Sequence, residues 1–186
     1  MRGVDRGGGG SRFRRRLAAW LVATAVLAAW FLFSAYFLYG YVPREELREA
    51  LRGLAGLASR ERGLWGRALA IFENNLRVLL LAAVPVIGPL VEAYVLAATA
   101  LVGRYAAELI AALLGGGWER YFYRLIVATP FFPLEMLAYG IATAEALLLL
   151  RHRCLRCYLA GVGAAVVVLA VAALVEAATM RAVLGR

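Results

Sequence analysis

Long oily runs separated by short basic stretches make up most of the chain. Leu17–Tyr39 is 23 residues without a formal charge, and Tyr158–Val175 is 18 more. A helix needs about 20 apolar residues to cross roughly 30 Å of hydrocarbon. In lipid, backbone polar groups have only each other as partners, so such runs predict helices. The pattern predicts an all-α, polytopic helical membrane protein. Its spans fall near residues 17–41, 65–87, 89–103, 121–150 and 158–182. Five crossings are expected.

Between residues 43 and 60 the period changes. Leu47, Leu51, Leu54 and Leu57 recur at three- and four-residue steps, with Arg and Glu between them. That spacing predicts an amphipathic helix on the outer membrane surface or against the spans. Pro43 suits its first turn, and Glu45 and Glu46 complement its dipole. Further on, two short apolar pieces, Leu76–Ile87 and Leu90–Val102, flank Pro85–Pro89. If the first begins near Trp65, the two form a Pro/Gly hairpin of spans turning at Gly88-Pro89. A re-entrant pair would return the chain to the same side, whereas one kinked span would not. A short separate helix is expected over 103–114, before the Gly115–Gly117 break. Pro130 and Pro133 each remove a backbone donor, so the fourth span should be broken. Residues 1–16, with their glycine run, read as a flexible basic tail.

Composition sharpens this picture. The chain is 63% hydrophobic with a mean hydropathy of +0.74, too apolar for an ordinary soluble domain. Its net charge is +9 and it contains no Lys. Such a balance can serve nucleic acid. Here Arg gathers at the ends of apolar runs, where membrane proteins keep cations. No nucleic-acid partner is therefore expected. The expected partners are the lipid bilayer, other membrane proteins and further copies of the chain. Six Arg precede the first span, so the amino end should face the cytoplasm, with Arg151–Arg156 on the same side. The outer segment 43–67 also holds six Arg, offset electrically by its Glu residues. The expected location is the cell membrane, with multiple crossings.

The candidate chemistry lies in polar residues at membrane depth. Asn74 and Asn75 are the only amides in the protein, flanked by Glu73 and Arg77. Entry at Trp65 would put Asn74 roughly 14 Å deep at 1.5 Å per residue. Glu73 and Arg77 are four apart, acid first, the favourable order for a pair on one helix. Adjacent amides point about 100° apart and can bind two different helices. This cluster reads either as a helix-packing node or as a substrate or ion path. A third reading simply starts the helix there, at the interface.

Glu92 lies in the second arm of the hairpin, and Glu135 follows the Pro130 break. Transporters place ion sites at such breaks. The plainer alternative is a kink at Pro130 with Glu135 paired to Arg77. Glu145 and Glu176 are expected nearer the membrane faces. The candidate set is therefore Glu73, Asn74, Asn75, Arg77, Glu92, Pro130 and Glu135.

Other motifs do not rise to sites. His152, Cys154 and Cys157 make three metal ligands where structural zinc takes four. Free thiols in a cytoplasmic loop are expected, or a disulfide if that loop lies outside. Ser11, Ser34 and Ser59 have no base in reach, and without Lys there is no phosphate-binding loop. No enzyme, metal or cofactor is expected.

Three stretches, "FENNLRV", "IGPLVEAYVLA" and "TPFFPLEMLAYG", together resemble the stage II sporulation protein M family of integral membrane proteins. The resemblance covers about residues 15–183. That family's paired Asn followed by Arg is matched by Asn74, Asn75 and Arg77, and its hairpin glycine by Gly88. Its Pro-His-Gly-x-x-Glu-x-x-Ala signature is met by Pro130, Glu135 and Ala138. The chain departs at Phe131 and Phe132, and Glu92-Ala93 stands where the family has Asn-Gly. The resemblance implies a non-enzymatic membrane scaffold. In spore-forming bacteria the family member recruits a cell-wall-degrading complex, a role that does not carry over to this chain.

Overall fold

The first helix starts earlier than the apolar run that drives it. In the computed structural model, which describes residues 8–58 and 63–184, α1 spans Gly8–Phe33. The helix therefore takes in Gly8–Gly10 and the arginines expected as part of a tail, while residues 1–7 lie outside the described residues. Each residue added to a formed helix brings one hydrogen bond, which offsets the glycine penalty of about 1 kcal/mol.

A π-helical turn, Ser34–Leu38, and a 3-10 turn, Tyr39–Tyr41, end this segment. Then come α2 (Arg44–Ala58), α3 (Leu64–Ala82), α4 (Gly88–Leu114) and α5 (Trp118–Phe122). A second π-helical turn, Tyr123–Val127, leads to α6 (Phe132–His152) and α7 (Leu155–Leu184). No strand occurs among the described residues.

Among the described residues, four helical segments are long and apolar enough to cross a membrane: Phe13–Tyr41, Gly88–Leu114, Phe132–His152 and Leu155–Ala182. Their presence makes this a membrane protein. Helix α3 falls outside that set because Arg67, Glu73 and Arg77 dilute its apolar character. Two expected boundaries move. Helix α4 continues through Gly103 to Leu114, because Leu101, Val102, Tyr105 and Ala107 stay buried across the expected break. Residues 121–150 are not one helix: the chain leaves helical geometry after Val127 and restarts at Phe132, with Pro133 in the first turn of α6. Proline fits there because the first amides of a helix have no intrahelical acceptor.

Helix α6 is the centre of the bundle and packs on α1, α3, α4 and α7. Its residues Ala138–Ala146 are all buried. Small side chains allow close approach between helices where lipid supplies little hydrophobic drive. A Cβ at Gly140 would lie 2.7 Å from Thr24 Cα, so glycine is required for α1 to touch α6. At the α3–α4 turn, a Cβ at Gly88 would meet the Ala82 carbonyl carbon at 2.6 Å. The hairpin glycine is thus a steric necessity. Helix α2 lays Leu47 and Leu51 on Tyr39, Leu101, Val102 and Tyr105. This places the amphipathic helix against the spans. Leu54 and Leu57 lie outside the described side chains.

Candidate functional site: a polar spine centred on α6

Glu135, Tyr139 and Thr143 stand four residues apart on α6, so they share one face of the helix. Glu135 is in the first turn, where the helix dipole favours an acid. Asn75 Nδ2 of α3 donates to Glu135 Oε1 at 2.6 Å. Thr143 Oγ1 donates to Glu92 Oε2 of α4. The other Glu92 oxygen, Oε1, is buried with no hydrogen-bond partner among the described residues. Tyr139 lies between these groups, within electrostatic reach of Glu92, Glu135 and Glu176. None of these three carboxyls joins an ion pair among the described residues.

Two charged clusters close the spine at its ends. At one end, Glu145 of α6 is met by Arg16 of α1 through Nε at 3.1 Å and through Nη2. This two-pronged arrangement suits a guanidinium against a carboxylate. Trp20 Nε1 donates to Glu145 Oε1 at 2.8 Å. Arg16 also donates to the Cys157 carbonyl at 2.7 Å, drawing the start of α7 into the same knot. Gly161 makes room, since a Cβ there would sit 2.5 Å from Glu145 Cδ.

At the opposite end, Arg104 of α4 donates to the Ala35 and Tyr36 carbonyls at 2.7 and 3.2 Å. Both carbonyls belong to the π-helical turn that ends the first span. A widened turn leaves carbonyls short of helical partners, and the guanidinium supplies donors. The same guanidinium lies over the rings of Tyr39 and Trp118, at 4.2 and 4.1 Å. Glu108 accepts from Arg104 at 3.4 Å and from the Tyr39 hydroxyl at 2.7 Å.

Of the sequence-predicted residues, the structure joins Asn75 to Glu135, and Glu92 to the same face of α6. It leaves Glu73, Asn74 and Arg77 on the opposite, exposed face of α3. The expected Glu73–Arg77 pair does not form among the described residues, and Glu135 is partnered by Asn75 instead of Arg77. The reason is angular. At about 100° per residue, Glu73 and Arg77 both point away from the stripe through Ala68, Leu79 and Ala82 that packs inward. Asn74 keeps a link inward, donating to Asn75 Oδ1 at 3.2 Å. Pro130 is exposed in the break before α6.

His152 is exposed, and Cys154 and Cys157 are joined in a disulfide, the state expected of an outer loop instead of the free thiols expected of a cytoplasmic one. The two cysteines sit three apart where α7 begins, and the left-handed Arg153 turns the chain to bring them together. No three metal-ligating side chains converge among the described residues.

Sequence reasoning missed Arg16, Trp20, Thr143, Glu145, Arg104 and Glu108 as partners. A usable signal was present: Glu145 interrupts an apolar run, and Arg16 immediately precedes one at the matching end. Pairing opposite charges at matched depths would have found them. No family model, no curated protein and no solved structure matches this chain.

Proposed function

We propose that the chain is a non-enzymatic integral membrane scaffold, anchored by a rigid bundle in which α3 makes a fifth crossing. The observation that carries this reading is the hub at α6. Side chains from α1, α3 and α4 each bond a polar group on α6. Such bonds between helices hold a fixed arrangement, because each polar group released into lipid would cost several kcal/mol. The likeness of Asn74, Asn75, Arg77, Gly88, Pro130 and Glu135 to stage II sporulation protein M motifs supports a scaffold of that kind.

The amino end is read as cytoplasmic from its cations alone; the Cys154–Cys157 disulfide at the same end is the state expected of an outer loop and counts against this orientation. Arg14–Arg16 and Arg151–Arg156 are the densest cationic clusters beside spans, and the Arg16 bonds to Glu145 and to the Cys157 carbonyl bring them to one end of the bundle.

A second reading has its own observation. Among the described residues Glu92 Oε1 is buried without a hydrogen-bond partner, and neither Glu135 nor Glu176 joins an ion pair, all three carboxyls standing within electrostatic reach of Tyr139. Intramembrane carboxyls of that kind also serve ion paths. Purified protein in liposomes distinguishes the two. A scaffold gives no proton, sodium or potassium flux above empty vesicles, and Glu135→Gln lowers its melting temperature in detergent. Flux that Glu135→Gln abolishes without change in melting would replace the scaffold with a channel or transporter. Capture from native membranes, read by mass spectrometry, would name the clients.

A further inference from the structure

Helix α3 runs antiparallel to α7. Its exit is tied to the start of α7 by the Tyr158 hydroxyl, which donates to the Ala83 carbonyl at 2.9 Å. Its entrance borders a groove shared with the far half of α7, where Trp65, Ala68 and Phe72 face Ala170, Ala173 and Leu174. Counted at 1.5 Å per residue, Arg77 and Glu73 lie roughly 14 to 20 Å from the start of α7, close to its middle. Both are exposed, as is Asn74. Trp65 and Leu69 continue the exposed face toward one side of the bilayer, and Leu80 toward the other. The face is therefore apolar at its ends and charged at mid-depth. Lipid is a poor cover for it, since a charged side chain at the bilayer centre costs at least about 2.5–3.5 kcal/mol.

We infer that the Glu73–Asn74–Arg77 face of α3 is covered by the same face of a second copy of this chain. The argument is charge complementarity. The acid and the base lie one turn and about 40° apart, so when the contact is centred between them a two-fold axis along the membrane normal sets the acid of each copy on the same flank as the base of the other. Across that axis the two α3 helices run side by side in the same direction. Asn74, about 60° or more from both charges around the helix, lies at the edge of this contact and keeps its bond to Asn75. Glu73 of each copy lies one turn from Arg77 of the other, within reach of the long arginine side chain. The Asn74–Asn75–Glu135 relay joins this surface to the α6 spine. The pairing rests on α3 being a crossing and is independent of whether the bundle scaffolds or transports.

The test is resonance energy transfer between donor- and acceptor-labelled full-length protein in phosphatidylcholine vesicles, diluted with empty lipid. Wild type is expected to pair. Glu73→Arg alone and Arg77→Glu alone present like charges across the axis and should each weaken pairing roughly tenfold or more, measured by the lipid dilution that halves transfer. Mixing the two variants restores opposite charges, so transfer between them should return to the wild-type level. If either reversal fails to insert, the neutral Glu73→Gln/Arg77→Gln protein decides, with weaker pairing expected and unchanged pairing overturning the proposal. Monomeric wild type would also overturn it and leave the stripe to a different membrane protein or to water. So would reversals that self-associate like wild type, or a mixture that fails to recover. Vesicle flux measured alongside would remove the scaffold reading without touching this result.

Discussion

Helix α6 turns its polar groups to neighbours within the fold, whereas adjacent residues of α3 divide between inside and outside. On α6, Glu135, Thr143 and Glu145 each bond a different helix. On α3, Asn75 faces in and bonds Glu135, while Glu73, Asn74 and Arg77 face out. The two helices differ in position. Helix α6 is ringed by four neighbours, so almost every direction from its axis meets protein. Helix α3 lies at the margin, and only the side of it centred on Ala68, Leu79 and Ala82, with Asn75 and Leu76 beside them, meets protein. A polar residue in a membrane bundle therefore informs on packing at the centre and on association at the edge.

The largest expected break in this comparison is Arg16→Leu. It strands Glu145, which is 1% exposed, without its cation. Breaking such a pair costs about 3–5 kcal/mol. The melting temperature in detergent should fall by about 10 °C, given about 2–4 °C per kcal/mol at this chain length. A fall within error would show that the Arg16 contacts contribute little.

Next in size is Gly140→Ala. The new methyl would press on Thr24 and push α1 from α6, at a cost of about 1–3 kcal/mol. Melting in detergent should drop, and protease protection of the first span should weaken. Gly163→Ala is the control, because a Cβ there meets nothing within 4 Å.

A sharper test uses two neighbouring residues. Asn75→Ala removes the amide from Glu135 and should cost about 1–2 kcal/mol in detergent. Asn74→Ala should leave the melting temperature of the monomer nearly unchanged and act on self-association. Equal effects on monomer stability would erase the distinction between the faces of α3.

The smallest effect is expected where α3 leaves the bundle. Val86 adopts a φ of 73°, a left-handed conformation that a β-branched residue occupies only under strain. Val86→Gly should raise stability by about 0.5–1 kcal/mol, read as a small rise in melting temperature.

Much of the fold was legible in the sequence. The runs at Leu17 and Tyr158 and the amphipathic leucines of α2 are local signals, and each corresponds to a helix of the structure. The turn expected at Gly88-Pro89 falls instead just before them, since both residues open α4. Partner choice was less legible. Glu73 and Arg77 have ideal spacing for a pair, yet both point outward. Arg16 and Glu145 are 129 residues apart in sequence and form the bidentate contact. Spacing gives the angle between two side chains on one helix, but not which angle faces protein.

The sequence by itself determined that this chain is helical and lives in a membrane, because only helices satisfy the backbone across such long apolar runs. Pro and Gly marked candidate turns, because they constrain the backbone locally, but α4 runs on through Gly103 and the chain turns before Gly88. Which carboxyl meets which donor, and which face of α3 is left open, was decided by the tertiary structure alone. Those outcomes depend on how neighbouring helices are rotated about their axes, and that rotation is set jointly by every contact in the bundle.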